Sequence, residues 1–158
     1  MQQCFTPKIM KSKLLLWFCI IPMLALTQTW SEPVTIFSDG LNRYPDITID
    51  KDGVMHCVWA HYLQTNYWKI YYSKSSDEGQ TWSAAQDISL NTSRWMYNPQ
   101  IIADANNNLY VSYDYNTGDP NNTLILIKKY DGIQWSEPDT VSTGLPGSMH
   151  NRLVVDNN

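Results

Sequence analysis

Aromatic rings and hydrogen-bonding side chains supply most of the chemistry this sequence holds. Arg43, Tyr62, Tyr67, Arg94, Trp95, Tyr97 and Tyr115 fall at or beside the breaks between apolar runs, in company with Tyr44, His61, Asp114, Asp119 and His150. A ring offers a flat apolar face and a neighbouring polar group offers donors, a combination that suits the C–H face and polar rim of a sugar. Any single Tyr in such a place also suits a plainer task, plugging a gap between packed sheets. Other chemistries lack their residues. There is no zinc-ligand spacing, no phosphate-cradling glycine loop and no Ser/His/Asp arrangement in a recognisable context. Asp50-Lys51-Asp52-Gly53 and the pair Asp114 and Asp119 offer oxygens to calcium without the spacing of an EF-hand loop. Acid- and glycine-rich turns are expected between strands in any case, so no cofactor is expected, calcium being the one candidate.

A second constellation is a turn. Ser75-Ser76-Asp77-Glu78-Gly79-Gln80-Thr81-Trp82 sets Ser75, Asp77, Gly79, Thr81 and Trp82 at fixed offsets. The Asp77 carboxylate is placed to accept backbone N–H groups within its own loop, Gly79 to take a positive φ, and Trp82 to anchor the hairpin by packing its ring. These roles are structural.

The elements that must position these residues come from two unlike segments. Residues 1–27 hold Lys8, Lys11 and Lys13, no acid, and a thirteen-residue apolar run from Leu14 to Leu26. A basic stretch before an apolar core of that length is the layout of an export signal, with the cut expected near Thr27, and it is short for a membrane span. Pro22 and the lack of an amphipathic stripe disfavour a buried helix. Cleavage would leave a mature domain, 28–158, that is secreted, periplasmic or at the cell surface and has no transmembrane segment. Losing three Lys and no acid moves the net charge from −4 to −7 and leaves Cys57 as the lone cysteine, expected to be buried rather than disulfide-bonded. An acidic domain without clustered Lys/Arg is not expected to bind nucleic acid.

The second segment repeats itself. Trp30-Ser31 returns as Trp82-Ser83 and Trp135-Ser136, at spacings of 52 and 53 residues. Between these marks Tyr44-Pro45-Asp46-Ile47 parallels Asn98-Pro99-Gln100-Ile101, and Asn151-Arg152-Leu153 opens a third copy. Each unit reads as four strands: Asp46–Asp50, Val54–His61, Tyr67–Ser73 and Ala84–Ser89, then Gln100–Ala103, Asn108–Tyr113, Thr123–Lys129 and Glu137–Ser142. Flanking strands are expected at Thr29–Phe37 and Asn151–Asp156. No helical stripe competes. An all-β repeat of four strands in about 50 residues is the footprint of a propeller blade.

Here the sequence resembles the Asp-box, or BNR-repeat, family of sialidase-like β-propellers. The turn from Ser75 to Trp82 matches the family's S-x-D-x-G-x-T-W pattern, and Asp131-Gly132-Ile133-Gln134-Trp135 is a shortened copy. The resemblance implies a partial propeller of about two blades, with the loops holding the rings and Arg residues opening on one face. Arg43-Tyr44-Pro45 is similar to the family's Arg-Ile-Pro, which makes Arg43 the candidate to grip a substrate carboxylate; an Arg in a loop between blades is the bland reading. The family's acid/base Asp is expected between the second and third strands, where His61 to Tyr67 holds no carboxylate, so no catalytic residue is assigned. The resemblance therefore implies non-catalytic binding of a glycan or glycoprotein, with a fragment of a true exo-sialidase and a protein-contact propeller as alternatives. Remaining blades are expected from downstream sequence, or from other chains.

Overall fold

Apolar residues alternate with others along β1 (Leu41–Ile49), β2 (Met55–Leu63) and β3 (Tyr67–Ser75), and a short β4 (Gln86–Asp87) follows; the scheme returns as β5 (Met96–Ala103), β6 (Leu109–Asn116), β7 (Thr123–Tyr130) and β8 (Asp139–Thr140). The computed structural model describes residues 31–63, 67–119, 121–142 and 147–156. The expected export signal lies outside them. These strands all fall within the compact unit Pro33–Asn158. They form two antiparallel sheets, ordered β1-β2-β3-β4 and β5-β6-β7-β8, and no helix is present among the described residues.

The sheets pack face to face, with β5 set against β1, β2 and β3. Val58, Ala60, Ile70, Tyr72 and Ile88 meet Met96, Ile101, Leu109, Val111, Tyr113 and Leu126 in one apolar core. Two polar contacts cross it: Asp46 Oδ2 accepts from the Ile101 N–H at 2.8 Å, and the Lys128 ammonium donates to the Ile88 carbonyl at 3.0 Å. On the other face of the first sheet Cys57 is buried as expected, beside Trp59. Phe37 covers that face, its ring 5.5 Å from Trp59, 5.2 Å from His61 and 5.8 Å from Tyr71.

The outer strands are shorter than the sequence predicts. β4 and β8 each pair at two positions only, and serine hydroxyls continue the ladder at both ends. Ser89 Oγ accepts the Ile70 N–H at 2.6 Å and Ser142 Oγ accepts the Ile125 N–H at 2.8 Å. At the other end the serines of the repeated Trp-Ser pair, Ser83 and Ser136, accept from Lys74 N and Lys129 N at 3.1 and 3.0 Å. The repeated serine is thus a ladder cap, a role the spacing alone did not show. Neither flanking segment is a strand where it is described: 31–40 and 147–156 hold no ladder pairing. Residues 150–156 nonetheless lie on the second sheet's outer face, through Ser112 to Asn151 and through a hollow shared by Tyr110, Ile127 and Leu153.

Candidate functional site

Each sheet's first strand begins with an irregularity. Arg43 pairs with Ala60 but Asp46 with Val58, and Tyr97 pairs with Asp114 but Gln100 with Ser112. One extra residue is therefore bulged out of β1 and of β5. Tyr44 and Asn98 sit inside these bulges at φ 54° and 51°, and His150 takes φ 62° at the corresponding place in the third copy. A bulky residue in the left-handed region is strained and persists only when its surroundings hold it there. Pro45 and Pro99 follow, suited to positions where no N–H is needed for the ladder. Sequence reasoning started these strands at Asp46 and Gln100; past the bulges the strands run back to Leu41 and Met96, five and four residues further.

The bulges bring together a hollow of about 290 Å³ lined by Arg43, Tyr44, Trp68, Trp95, Tyr97 and Asn116. The Arg43 guanidinium stands 5.5 Å above the Trp68 ring, within cation–π range, and Trp68 is backed by Tyr62 at 5.2 Å. Trp95 and Tyr44 are 46% and 50% exposed, so two large rings line the hollow with much of their surface toward solvent. The Asn116 N–H donates to the Trp95 carbonyl at 2.9 Å, fixing the entry to β5. A second hollow of about 240 Å³ adjoins the first through Trp95 and Asn116 and adds Tyr67, Ser93 and Arg94. Gly118, at φ +92°, lets the Arg94 guanidinium lie against its backbone; a Cβ there would fall 1.9 Å from Nη1. Beyond Tyr44 a third hollow of about 370 Å³ is lined by Asn98, Gln100, His150 and Arg152, among others.

Beneath this edge lies Asp114, fully buried. Its oxygens accept from Asn98 Nδ2 at 2.8 Å, from His150 N at 3.2 Å and from Asn151 Nδ2 at 3.2 Å. One side chain thereby ties the β5 bulge to the third copy's bulge, and its buried oxygens are satisfied by donors, as buried polar atoms require.

Of the residues expected from the sequence, Arg43, Trp95 and Tyr97 line the first hollow, and Tyr67 and Arg94 the second. Tyr62 stands behind Trp68 and lines neither. Tyr115 packs against the inter-sheet core; alternation along β6 puts it on the same side as the buried Tyr113. Sequence reading missed Trp68 and Asn116. Trp68 alternates with Tyr67 and shares the face of Ile70 and Tyr72, a pattern that signals a core ring unless the height along the strand is known.

The turn from Ser75 to Trp82 lies at the opposite end of the first sheet. Asp77 Oδ1 accepts from Ser75 Oγ at 2.7 Å and from the Thr81 N–H at 2.9 Å, and Oδ2 accepts from Thr81 Oγ1 at 2.5 Å. Its carboxyl is pulled down to about 2 by the Thr81 bonds first and that of Ser75 next. Gly79 adopts φ 85°, and its carbonyl accepts from Trp82 Nε1 at 3.2 Å. Trp82 is half-buried, and in the second sheet it is Trp135 that packs on the core, against Tyr72 and Tyr130 at 5.3 and 5.2 Å.

The oxygens considered for calcium are engaged within the protein: Asp50 Oδ1 accepts from Asp52 N and Val54 N, and Asp119 Oδ1 from Asn121 N. Among the described residues no three metal-capable side chains converge. A scan of the sequence against protein-family models finds no match, and a search of the curated proteins finds none.

Proposed function

We propose that the chain is part of an exported, Asp-box-type β-propeller that binds glycans without hydrolysing them, the two sheets being successive blades. Support for the propeller comes from the repeated relation between units: residues 150–156 lie on the second sheet as β5 lies on the first. The observation that carries the binding reading is the hollow in which the exposed rings of Trp95 and Tyr44 stand beside the Arg43 guanidinium. Rings of this kind stack on a sugar face while the guanidinium and the Asn116 amide take hydroxyl or carboxylate oxygens. Hydrolysis needs an acid at the leaving oxygen, and neither His61 to Tyr67 nor the lining of the first two hollows supplies a carboxylate.

A glycan array, followed by calorimetric titration of the hits, tests this reading. Trp95→Ala is expected to weaken binding by about 1–3 kcal/mol, roughly five- to 150-fold, while Tyr115→Phe leaves it unchanged. Absence of any glycan ligand, with protein partners captured instead, would favour a contact propeller. Turnover of a fluorogenic sialoside that disappears in Arg43→Ala would overturn the non-catalytic assignment.

A further inference from the structure

All three arginines of the chain, Arg43, Arg94 and Arg152, lie along the edge just described. Three hollows follow one another there: the Arg94 hollow shares Trp95 and Asn116 with that of Arg43, which shares Tyr44 with that of Arg152. Each hollow is lined by a single arginine, and no two arginines line the same one. All three side chains are exposed, and among the described residues none has a carboxylate within salt-bridge distance. The nearest buried acid, Asp114, is spent on Asn98, Asn151 and the His150 N–H; Asp119 and Asp39 are exposed.

The lysines are placed differently. Lys69 is buried with its ammonium on the Leu90 and Thr92 carbonyls at 2.7 and 2.8 Å, and Lys128 is buried on Ile88. Lys51, Lys74 and Lys129 belong to the far ends of the sheets, near the turns that hold Asp52, Asp77 and Asp131. Among the described residues, then, the rigid, bidentate donors stand exposed along one edge, whereas the ammonium groups are buried on carbonyls, as at Lys69 and Lys128, or lie at the far ends of the sheets. Guanidinium is the better match to planar or tetrahedral oxyanions.

We infer that this edge is a groove for an extended acidic glycan, whose carboxylate or sulfate groups are spaced so that successive units meet Arg94, Arg43 and Arg152. The inference rests on the glycan-binding reading above and narrows its ligand class. One terminal carboxylate calls for converging forks, and here rings stand between them: Trp95 between Arg94 and Arg43, Tyr44 between Arg43 and Arg152. Arg43 belongs to the first sheet and Arg94 to the entry of the second, and packed sheets are about 10 Å apart, a step that a chain of sugars bridges and one carboxylate does not. Alternation of ring and fork suits a polymer that presents a sugar face and a charge at each repeat.

The test is a titration of the purified chain, read by tryptophan fluorescence and calorimetry. The ligands are a polyuronate hexasaccharide, a sulfated hexasaccharide, a neutral hexasaccharide, an oligosaccharide with one terminal carboxylate, and a polyglutamate peptide. Either polyanionic sugar is expected to bind about tenfold more tightly than the neutral and singly charged ones, and the stronger of the two identifies the anion. Arg94→Gln and Arg152→Gln should each weaken that binding about fivefold, the Lys versions falling in between, and Lys74→Gln should leave it unchanged. Affinity should drop with salt over the range where the Debye length shrinks from about 10 to about 3 Å. Matching circular dichroism and melting curves certify the folded state of each variant. Equal affinity for neutral and charged hexasaccharides, still lost in Trp95→Ala, overturns this inference and leaves glycan binding standing. Polyglutamate binding as tightly as the sugars overturns the glycan class, and silence toward every sugar sinks both readings.

Discussion

His56 links a turn, a strand and a titration. Its Nδ1 accepts from the Tyr72 hydroxyl at 2.8 Å and its Nε2 donates to Asp50 Oδ2 at 3.1 Å. Burial holds the imidazole below its usual range, with Asp50 pulling the other way. Burial also pushes Asp50 up, but the bonds from His56, Val54 and Asp52 outweigh it, and the carboxyl sits below its ordinary value. At neutral pH the contact is a hydrogen bond to a neutral ring. Below about pH 6.5 the unfolded chain binds a proton at His56 that the folded chain resists, so stability falls as pH drops. A second loss follows below about pH 3.8 as Asp50 takes a proton that the fold disfavours. Melting temperatures measured from pH 8 to 3 should show the first decline beginning near 6.5 in the parent and missing in His56→Gln. A parent profile that stays flat down to pH 5 contradicts the assignment. At this scale the sequence was readable where a residue's type limits its use. Arg43 and Trp95 were legible as lining residues because an arginine and a tryptophan beside a strand break are exposed; Tyr97 lines the hollow too but also packs on the core. Trp68 and Asn116 were not legible, because alternation says which side a side chain faces and not whether that side is covered at that height.

The turn from Ser75 to Trp82 is a self-contained element whose hydrogen bonding and glycine conformation were legible; the anchoring role expected of the Trp82 ring was not met, since that ring is half-buried and it is Trp135 that packs on the core. Ser75, Asp77 and Thr81 satisfy one another and the loop's N–H groups, including Gly79 N to Ser75 Oγ at 2.9 Å. Asp77 contributes stability that is present above about pH 3.8 and lost as pH falls toward 2, because its folded carboxyl lies below the unfolded value. Asp77→Ala is expected to speed amide exchange at Thr81 severalfold and to remove that acid-limb loss, with the hollow of Arg43 and Trp95 still binding. Unchanged exchange at Thr81 would show that the backbone alone holds the turn. The first strands were less legible. Their starts depend on Tyr44 and Asn98 adopting positive φ, and nothing in a Tyr-Pro or Asn-Pro pair announces a bulge. The expected strand at Thr29–Phe37 misled for a related reason: local β pattern is not enough without a neighbouring edge to pair with, and in the structure Phe37 serves that face through its ring instead.

Across the whole molecule the space between the sheets decides stability. Tyr113 is fully buried there, and among the described residues its hydroxyl has no hydrogen-bond partner. Burial drives its pKa far above the usual value, with Asp87, Glu137 and Tyr115 adding to the shift; Tyr72 is raised as well, by burial first. Cys57 is pushed up to about 11, again mainly by burial. A raised folded pKa means that the unfolded chain loses its proton first, so stability is lost as pH climbs above about 9 for the thiol and about 10 for the phenols. Tyr113→Phe is expected to hold or raise neutral stability by about 1 kcal/mol, since it removes an unpaired buried hydroxyl, and to delay alkaline unfolding. Denaturant melts at pH 7 and 10.5 check both, and a loss above about 1 kcal/mol at pH 7 would reveal a partner for that hydroxyl. The repeat, the strand order and the all-β class were legible from landmarks spaced along the chain. The pairing of faces was not, because both sides of β2 are buried and periodicity alone cannot say which buried side meets the second sheet.

The bulges at Tyr44 and Asn98 have a consequence for substitution. Each divides its strand into a length below, 46–49 or 100–103, and a length above, which carries Arg43 or Tyr97 to the rim of the hollow. Substitution of Arg43, exposed above the β1 bulge, is expected to leave the pairing beneath in place, whereas Met96 above the β5 bulge is fully buried in the core. On the proposed reading, exchanging Arg43 or Trp95 is expected to change what the hollow holds while the strand pairing below the bulge persists.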